Sequence, residues 1–245
     1  KYDACSSSVL IWNTDMNLAE RITSQAVSML SSKSDNATLN NALRLLSKWR
    51  SVLIQNTLLE EEGTRVLQGP LAGLDFIEQS AEGCHIAKLL GCYEQLLHPY
   101  ISDAITKGYT VVLNIGCAEG YYAVGLARAM PRARSLAFDT NPIAQAACKQ
   151  LAAKNGVSGR VTVGGLFSPS DFADYVDEST LVFCDIEGAE LELLDPALAP
   201  ALESMDLIVE SHECLRDGIT DTLIARFSST HDIQLITDNG ARQLD

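Results

Sequence analysis

Two glycines, Gly116 and Gly120, stand four residues apart in VVLNIGCAEGYYAVGLAR (residues 111–128), with Glu119 just before the second. Glycine lets a backbone turn tightly and approach a ligand, and the amides opening the helix after such a turn can receive a negative group. A pyrophosphate-binding turn carries GxGxxG. The GxxxG spacing offers fewer close approaches and suits a nucleoside without a pyrophosphate. Asp139, which ends LAFDTNP, can accept hydrogen bonds from both hydroxyls of a ribose. The competing role for Asp139 or Asn141 is to cap the helix that follows. DIEGAE (185–190) and VESHE (209–213) add Asp185, Glu187, Glu210, His212 and Glu213. His212 is the best base among these, because its ordinary pKa lies near neutrality. Asp185, Glu210 and His212 are also a hard-ligand set that could hold a divalent metal, although no metal is the favoured expectation.

Less chemistry is expected of the remaining polar residues. Glu190 and Glu192 read as solvated helix positions, His85 and His98 as structural residues, and Cys117 as a small side chain rather than a nucleophile. Tyr93 is expected to pack its ring on a helical face shared with Leu89, Leu90, Leu96 and Leu97, while Glu94 points elsewhere.

The scaffold follows from periodicity. From Tyr109 onward, short apolar runs alternate with helical stretches. Strands are predicted at 110–115, 134–138, 160–163, 180–185, 205–210 and 232–236, with helices at 120–130, 141–154, 169–177, 189–203 and 215–228. Continuous apolar runs indicate strands covered on both faces, as in an α/β, doubly wound, mostly parallel Rossmann-like sheet. Ligands of such sheets bind outside the carboxyl ends of the strands, where strand order reverses. That rule gathers Asn114 to Gly120, Asp139, Gly164 to Phe167, Asp185 to Gly188 and Glu210 to His212 around one crevice. Before Tyr109, apolar positions recur every three or four residues in LAERITSQAVSML and LNNALRLLSKWRSVLI, so helices are expected there. Pro99 suits the first turn of a further helix and should bar His98 from helical geometry. The division drawn from this is a helical, substrate-selecting cap over 1–107 and a ligand-binding domain over 108–245.

Composition narrows the function classes. The 245 residues are 47% hydrophobic, enough to fill the core of one large α/β domain. With 32 acidic against 18 basic residues and a net charge of -14, a phosphate-tracking surface is not expected, so nucleic acid is not a predicted partner. The seven cysteines include no CxxC pair and read as reduced thiols of a cytoplasmic protein. No apolar stretch approaches the ~20 residues of a membrane span. The chain opens on Lys rather than Met, which reads as a trimmed start. Asn239-Gly240 looks like a hairpin turn.

At this point a resemblance can be stated. NIGCAEG together with Asp139 resembles the cofactor-binding pattern of class I S-adenosylmethionine-dependent methyltransferases, over about residues 108–236. FCDIEGAELELL (183–194) resembles the DxEGxExxxL signature of the FkbM-like methyltransferases, which act mostly on oxygen. GPLAGLDF and LLGCYEQLLHP resemble segments that precede the catalytic domain in relatives of that family. The resemblance implies that Gly116, Cys117, Glu119 and Gly120 border the methionine part of the cofactor, Asp139 its ribose, and Leu166 or Phe167 its adenine. Asp185 would face the sulfonium, and Tyr93 and Glu94 of the G-x-Y-E segment would complete the set. Asn114 departs from the pattern, which commonly has an acid there to hold the methionine ammonium; Glu119 and Glu94 are the candidates to supply that charge. The implied activity is methyl transfer to oxygen on a small, natural-product or sugar-like acceptor, in a protein compatible with homodimerisation. Non-methylating alkyl transfer or cyclisation, an NAD-dependent oxidoreductase and a noncatalytic binder are the alternatives.

Overall fold

The computed structural model describes residues 17–78 and 84–237. Cys5, the end of the glycine-rich stretch (79–83) and Asn239-Gly240 lie outside the described residues. The chain divides into two compact units, with the boundary between Thr57 and Leu58. In the first unit, α1 spans Leu18–Ser32 and α2 begins at Asn36 and runs to Glu62. Asn17 and Glu20 close a reciprocal capping box at the start of α1. Only Ala26 and Ala42 of these two helices are buried among the described residues.

The second unit is built on a five-stranded sheet of β1 (Val111–Ile115), β2 (Arg134–Phe138), β3 (Val161–Gly164), β4 (Thr180–Cys184) and β5 (Asp206–Val209). Its order is β3-β2-β1-β4-β5, and every pairing is parallel. This is the expected doubly wound, Rossmann-like α/β fold, and alternation along the central strands shows why. Val112, Leu181 and Phe183 enter one core cluster, while Val111, Leu113, Ile115, Val182 and Cys184 enter the other. Successive side chains point to opposite faces, so both faces need a cover.

The first cluster is closed by α5 (Tyr121–Ala129), α6 (Pro142–Lys154) and residues of α3 (His85–Leu90) and α4 (His98–Lys107). The second is closed by 3-10 turns at Pro169–Tyr175 and Pro200–Ser204, by α7 (Glu190–Leu193) and by α8 (Ile219–Phe227). The division expected at 107/108 therefore falls inside a packed unit. Leu71, Leu74, Phe76, Leu89 and Ile101 share one core with the sheet, and a hydrophobic core this continuous cannot be cut at 107.

Other local expectations change for local reasons. The face expected through Leu89–Leu97 is interrupted, because Gly91 takes the left-handed conformation and ends α3. A Cβ on Gly91 would lie 1.9 Å from the carbonyl oxygen of Gln68, so the break is forced by close packing. His98 is helical despite the following proline (φ -55, ψ -43); its Nε2 donates to the Tyr93 carbonyl at 3.1 Å, tertiary contact outweighing the local preference. The helix expected at 189–203 is only α7 and a 3-10 turn, since Pro196 and Pro200 interrupt it. Residues 232–236 form no strand. IQLI alternates as a strand should, but a strand needs a ladder partner, and Ile233, Leu235 and Ile236 remain exposed.

Candidate functional site

The ladder itself aligns the chemistry. Beyond the last paired residues, the Asp185 amide donates to Ile115 O at 2.9 Å, the Glu210 amide to Cys184 O at 2.9 Å and the Asp139 amide to Gly164 O at 3.3 Å. Asp139, Asp185 and Glu210 thus begin the loops that leave the carboxyl ends of β2, β4 and β5. Strand order reverses between β1 and β4, and there the backbones come closest. Gly116 has φ +77, and a Cβ built on it would sit 1.6 Å from the Asp185 carbonyl oxygen. Only glycine fits.

A cavity of about 530 Å³ opens at these ends, and Gly116, Asp139, Leu166, Phe167 and Asp185 line it together with Thr140, Asn141, Ile186, Glu187 and Glu192. That volume falls in the ~300–1,000 Å³ range of small-ligand sites. Four carboxylates, Asp139, Asp185, Glu187 and Glu192, face it with no Lys, Arg or His among the lining residues. Phe167 is buried against Phe138 and Phe172, whereas Leu166 is 77% exposed at the rim.

The capping role weighed for Asp139 or Asn141 is settled by hydrogen bonds. Asn141 caps α6 by accepting from the Ile143 amide, while Asp139 accepts from the amides of Ala118 (2.9 Å) and Asn141 (2.7 Å). Asp139 therefore braces the turn, holding Ala118 at the unfavourable φ of +46. It remains half-buried at the cavity wall, and a carboxylate has lone pairs beyond those two.

Other sequence-predicted residues lie away from the lining. Asn114 is buried in β1 with Oδ1 unpartnered and Nδ2 3.5 Å from Phe183 O. Glu119 is fully buried in an ion pair with Lys88, whose ammonium also sits 4.8 Å from the Tyr93 ring centre. Its charge is answered inside the core, which argues against Glu119 as the ammonium partner. Cys117 and Gly120 support the turn from beneath; the Cys117 thiol is pushed up by its hydrogen bond with Cys148 and by burial, which removes nucleophilic character. Glu94, at φ +47, accepts from the Tyr122 hydroxyl at 2.6 Å. His85 and His98 are structural, and His85 Nε2 donates to Ile77 O at 2.7 Å.

At the β4 and β5 ends, His212 is surrounded by acids. Its Nδ1 donates to Glu190 at 2.7 Å, and Nε2 lies 3.5 Å from Asp185 and 3.9 Å from Glu210. Burial works against the imidazolium, but the Glu190 bond and the charges of Asp185 and Glu210 outweigh it, so the pKa is raised. His212 is thus less of a free base at neutral pH than its ordinary pKa implied. Burial also raises Glu210, helped by Glu94. Asp185 rises to about 7, first through burial and then through Glu210, with His212 opposing. Asp185, Glu210 and His212 offer ligand atoms within 4.8 Å of one another, so the trio could also close on a divalent cation.

A pH prediction follows from Asp185. Its folded-state pKa exceeds the unfolded value near ~3.9, so the folded state binds the proton more tightly and ionisation costs stability. The cost is absent below about pH 4 and complete above about pH 7. Asp185→Asn should therefore melt higher than wild type, by a margin that widens between pH 5 and pH 8 in thermal denaturation. A margin independent of pH would contradict the assignment.

Sequence reasoning missed Glu190, read as solvated but 0% exposed, and missed Lys88 and Tyr122 entirely. DIEGAE contained Glu190, yet nothing local announced that the chain turns at Glu187 (φ +52) and Gly188 (φ +103) to bury it. Glu192 is solvated as read and pairs with Arg216.

No protein-family model matches the chain, and no curated protein matches it. Among solved structures, an O-methyltransferase from Bacillus cereus in complex with SAH has 15% identity and a TM-score of 0.37, covering 52% of this chain and 62% of its own. The O-methyltransferase TomG from Streptomyces achromogenes, in complex with SAM, has 18% identity and a TM-score of 0.40, covering 88% and 86%. A methyltransferase from Geobacter sulfurreducens has 15% identity and a TM-score of 0.41, covering 72% and 78%. The chain thus spans less than two thirds of the first of these. One architecture hosts many activities, so the function rests on the site.

Proposed function

We propose that the protein is an S-adenosylmethionine-dependent methyltransferase acting on a hydroxyl oxygen of a small, natural-product or sugar-like acceptor. The finer assignment to the FkbM-like group is supported by DIEGAELELL and by the GPLAGLDF and LLGCYEQLLHP segments upstream. The observation that carries the proposal is the acidic lining of the switch-point cavity, Asp139, Asp185 and Glu187 with no basic residue among the lining, the fourth carboxylate, Glu192, being paired with Arg216. A dinucleotide would bring a pyrophosphate into that field, which disfavours the NAD reading. A sulfonium and an ammonium suit it.

When bound, S-adenosylmethionine supplies a methyl group already activated by its positive sulfur. The residues fit that ligand. Asp139 receives the ribose hydroxyls, Leu166 and Phe167 flank the adenine, the Gly116 turn admits the methionine part, and Asp185 faces the positive sulfur. Asn114 lies beneath the lining with Oδ1 unpartnered, so the charge for the ammonium falls to Glu94, the remaining candidate now that Glu119 is paired with Lys88. Orientation of the acceptor supplies ~7–11 kcal/mol. Removal of its proton by the His212, Asp185 and Glu210 group adds ~10²–10⁴-fold. Six free thiols in the described residues suit a reducing cytoplasm.

Mass spectrometry tests the reaction. Incubation with S-adenosylmethionine and a panel of hydroxylated acceptors should give a product heavier by one CH2, a methyl replacing the hydroxyl hydrogen, with S-adenosylhomocysteine formed in equal amount. Release of methylthioadenosine instead would favour non-methylating transfer, and neither product would contradict the proposal.

A further inference from the structure

We infer that Glu190 is the positioning residue of the site, a buried carboxylate that holds the His212 ring with Nε2 turned toward Asp185 and Glu210. The functional meaning of this clamp rests on the methyltransferase reading; the clamp itself does not.

Geometry carries the inference. One oxygen of Glu190, Oε1, accepts from His212 Nδ1 at 2.7 Å and from the Gly188 amide at 3.0 Å. It therefore ties the loop after β4, which bears Asp185, to the loop after β5, which bears His212. Because Nδ1 is the donor to Glu190, Nε2 is the nitrogen left to face Asp185 at 3.5 Å and Glu210 at 3.9 Å. A base oriented by a third, hydrogen-bonded group is the general device by which side chains are readied for proton transfer. A charge-assisted bond makes that orientation stiff.

The clamp also has a rigid footing. Glu190 is 0% exposed at the start of α7. Arg226 of α8 donates to the carbonyls of Leu191 (2.6 Å) and Leu194 (3.0 Å) and pairs with Asp195 at 3.0 Å, pinning the helix that carries Glu190. A solvated surface glutamate would need no such anchoring.

Nuclear magnetic resonance on protein labelled with nitrogen-15 in its histidine rings tests the assignment. A downfield Nδ1 proton signal, protected from solvent exchange, should be present in wild type and abolished in His212→Asn, which identifies it. In the near-isosteric Glu190→Gln the signal should move upfield, because a neutral amide oxygen is the weaker acceptor, and in Glu190→Ala it should vanish. A signal unmoved in Glu190→Gln, or none in wild type, would overturn the clamp. Saturating S-adenosylhomocysteine should shift the wild-type signal, since Nε2 faces a cavity-lining residue. Binding confirmed by calorimetry without any shift would overturn the positioning role. Failure of S-adenosylhomocysteine to bind at all would count against the cofactor reading while the Glu190 variants still decide the clamp.

Discussion

Gly116→Ala should abolish cofactor binding. The residue sits at φ +77, where a side chain costs about 1–3 kcal/mol. The added carbon would also lie 1.6 Å from Asp185 O and 2.6 Å from the Asp185 carbonyl carbon. That overlap is with backbone, which cannot rotate away as a side chain can. Relief requires the ends of β1 and β4 to move apart, and those ends form the floor of the cavity. An affinity loss of at least about 100-fold for S-adenosylhomocysteine, roughly 2.7 kcal/mol, is expected by calorimetry. The melting temperature should fall with it. Wild-type affinity in this variant would mean that the cavity at the switch point is not the cofactor site.

The second large effect is expected far from solvent. Lys88→Met removes the cation facing Glu119, a carboxylate with no solvent exposure. Breaking one side of a buried pair costs about 3–5 kcal/mol, because the remaining charge stays desolvated. In a chain of this size that corresponds to a melting point lower by about 10 °C. Replacing both partners, as Lys88→Met with Glu119→Leu, should recover most of the loss, since removing two desolvated charges together is often close to neutral. A thermal-denaturation cycle on the four proteins measures the coupling. Additive losses would show that Lys88 and Glu119 do not depend on each other.

The central sheet was legible because its signal is local. Runs such as TLVFC and VVLNI need no knowledge of the rest of the chain to read as buried strands, and GxxxG with Asp139 marked the cavity wall where it lies. What failed depended on partners distant in sequence. Nothing near Lys88 reveals that Glu119, 31 residues on, will meet it in the core. Glu190 looked like one acid among several on a short helix until the turn at Glu187 and Gly188 buried it. The strand expected at 232–236 had the right alternation but found no ladder. His98 adopted helical geometry against the preference imposed by Pro99, with its ring tied to Tyr93. The boundary at 107 failed similarly, since the residues from Leu58 to Lys107 carry no strand rhythm yet supply Leu71, Leu74 and Phe76 to the core of the sheet.

The charge of the cavity distinguishes the ligands most directly. Isothermal calorimetry with S-adenosylmethionine, S-adenosylhomocysteine and NAD, on wild type and on Asp139→Ala, measures that distinction. Saturable binding of both adenosyl ligands, weakened at least about tenfold by Asp139→Ala, with none to NAD, is the predicted result. Binding of NAD with no affinity for either adenosyl compound at millimolar concentration would contradict the account.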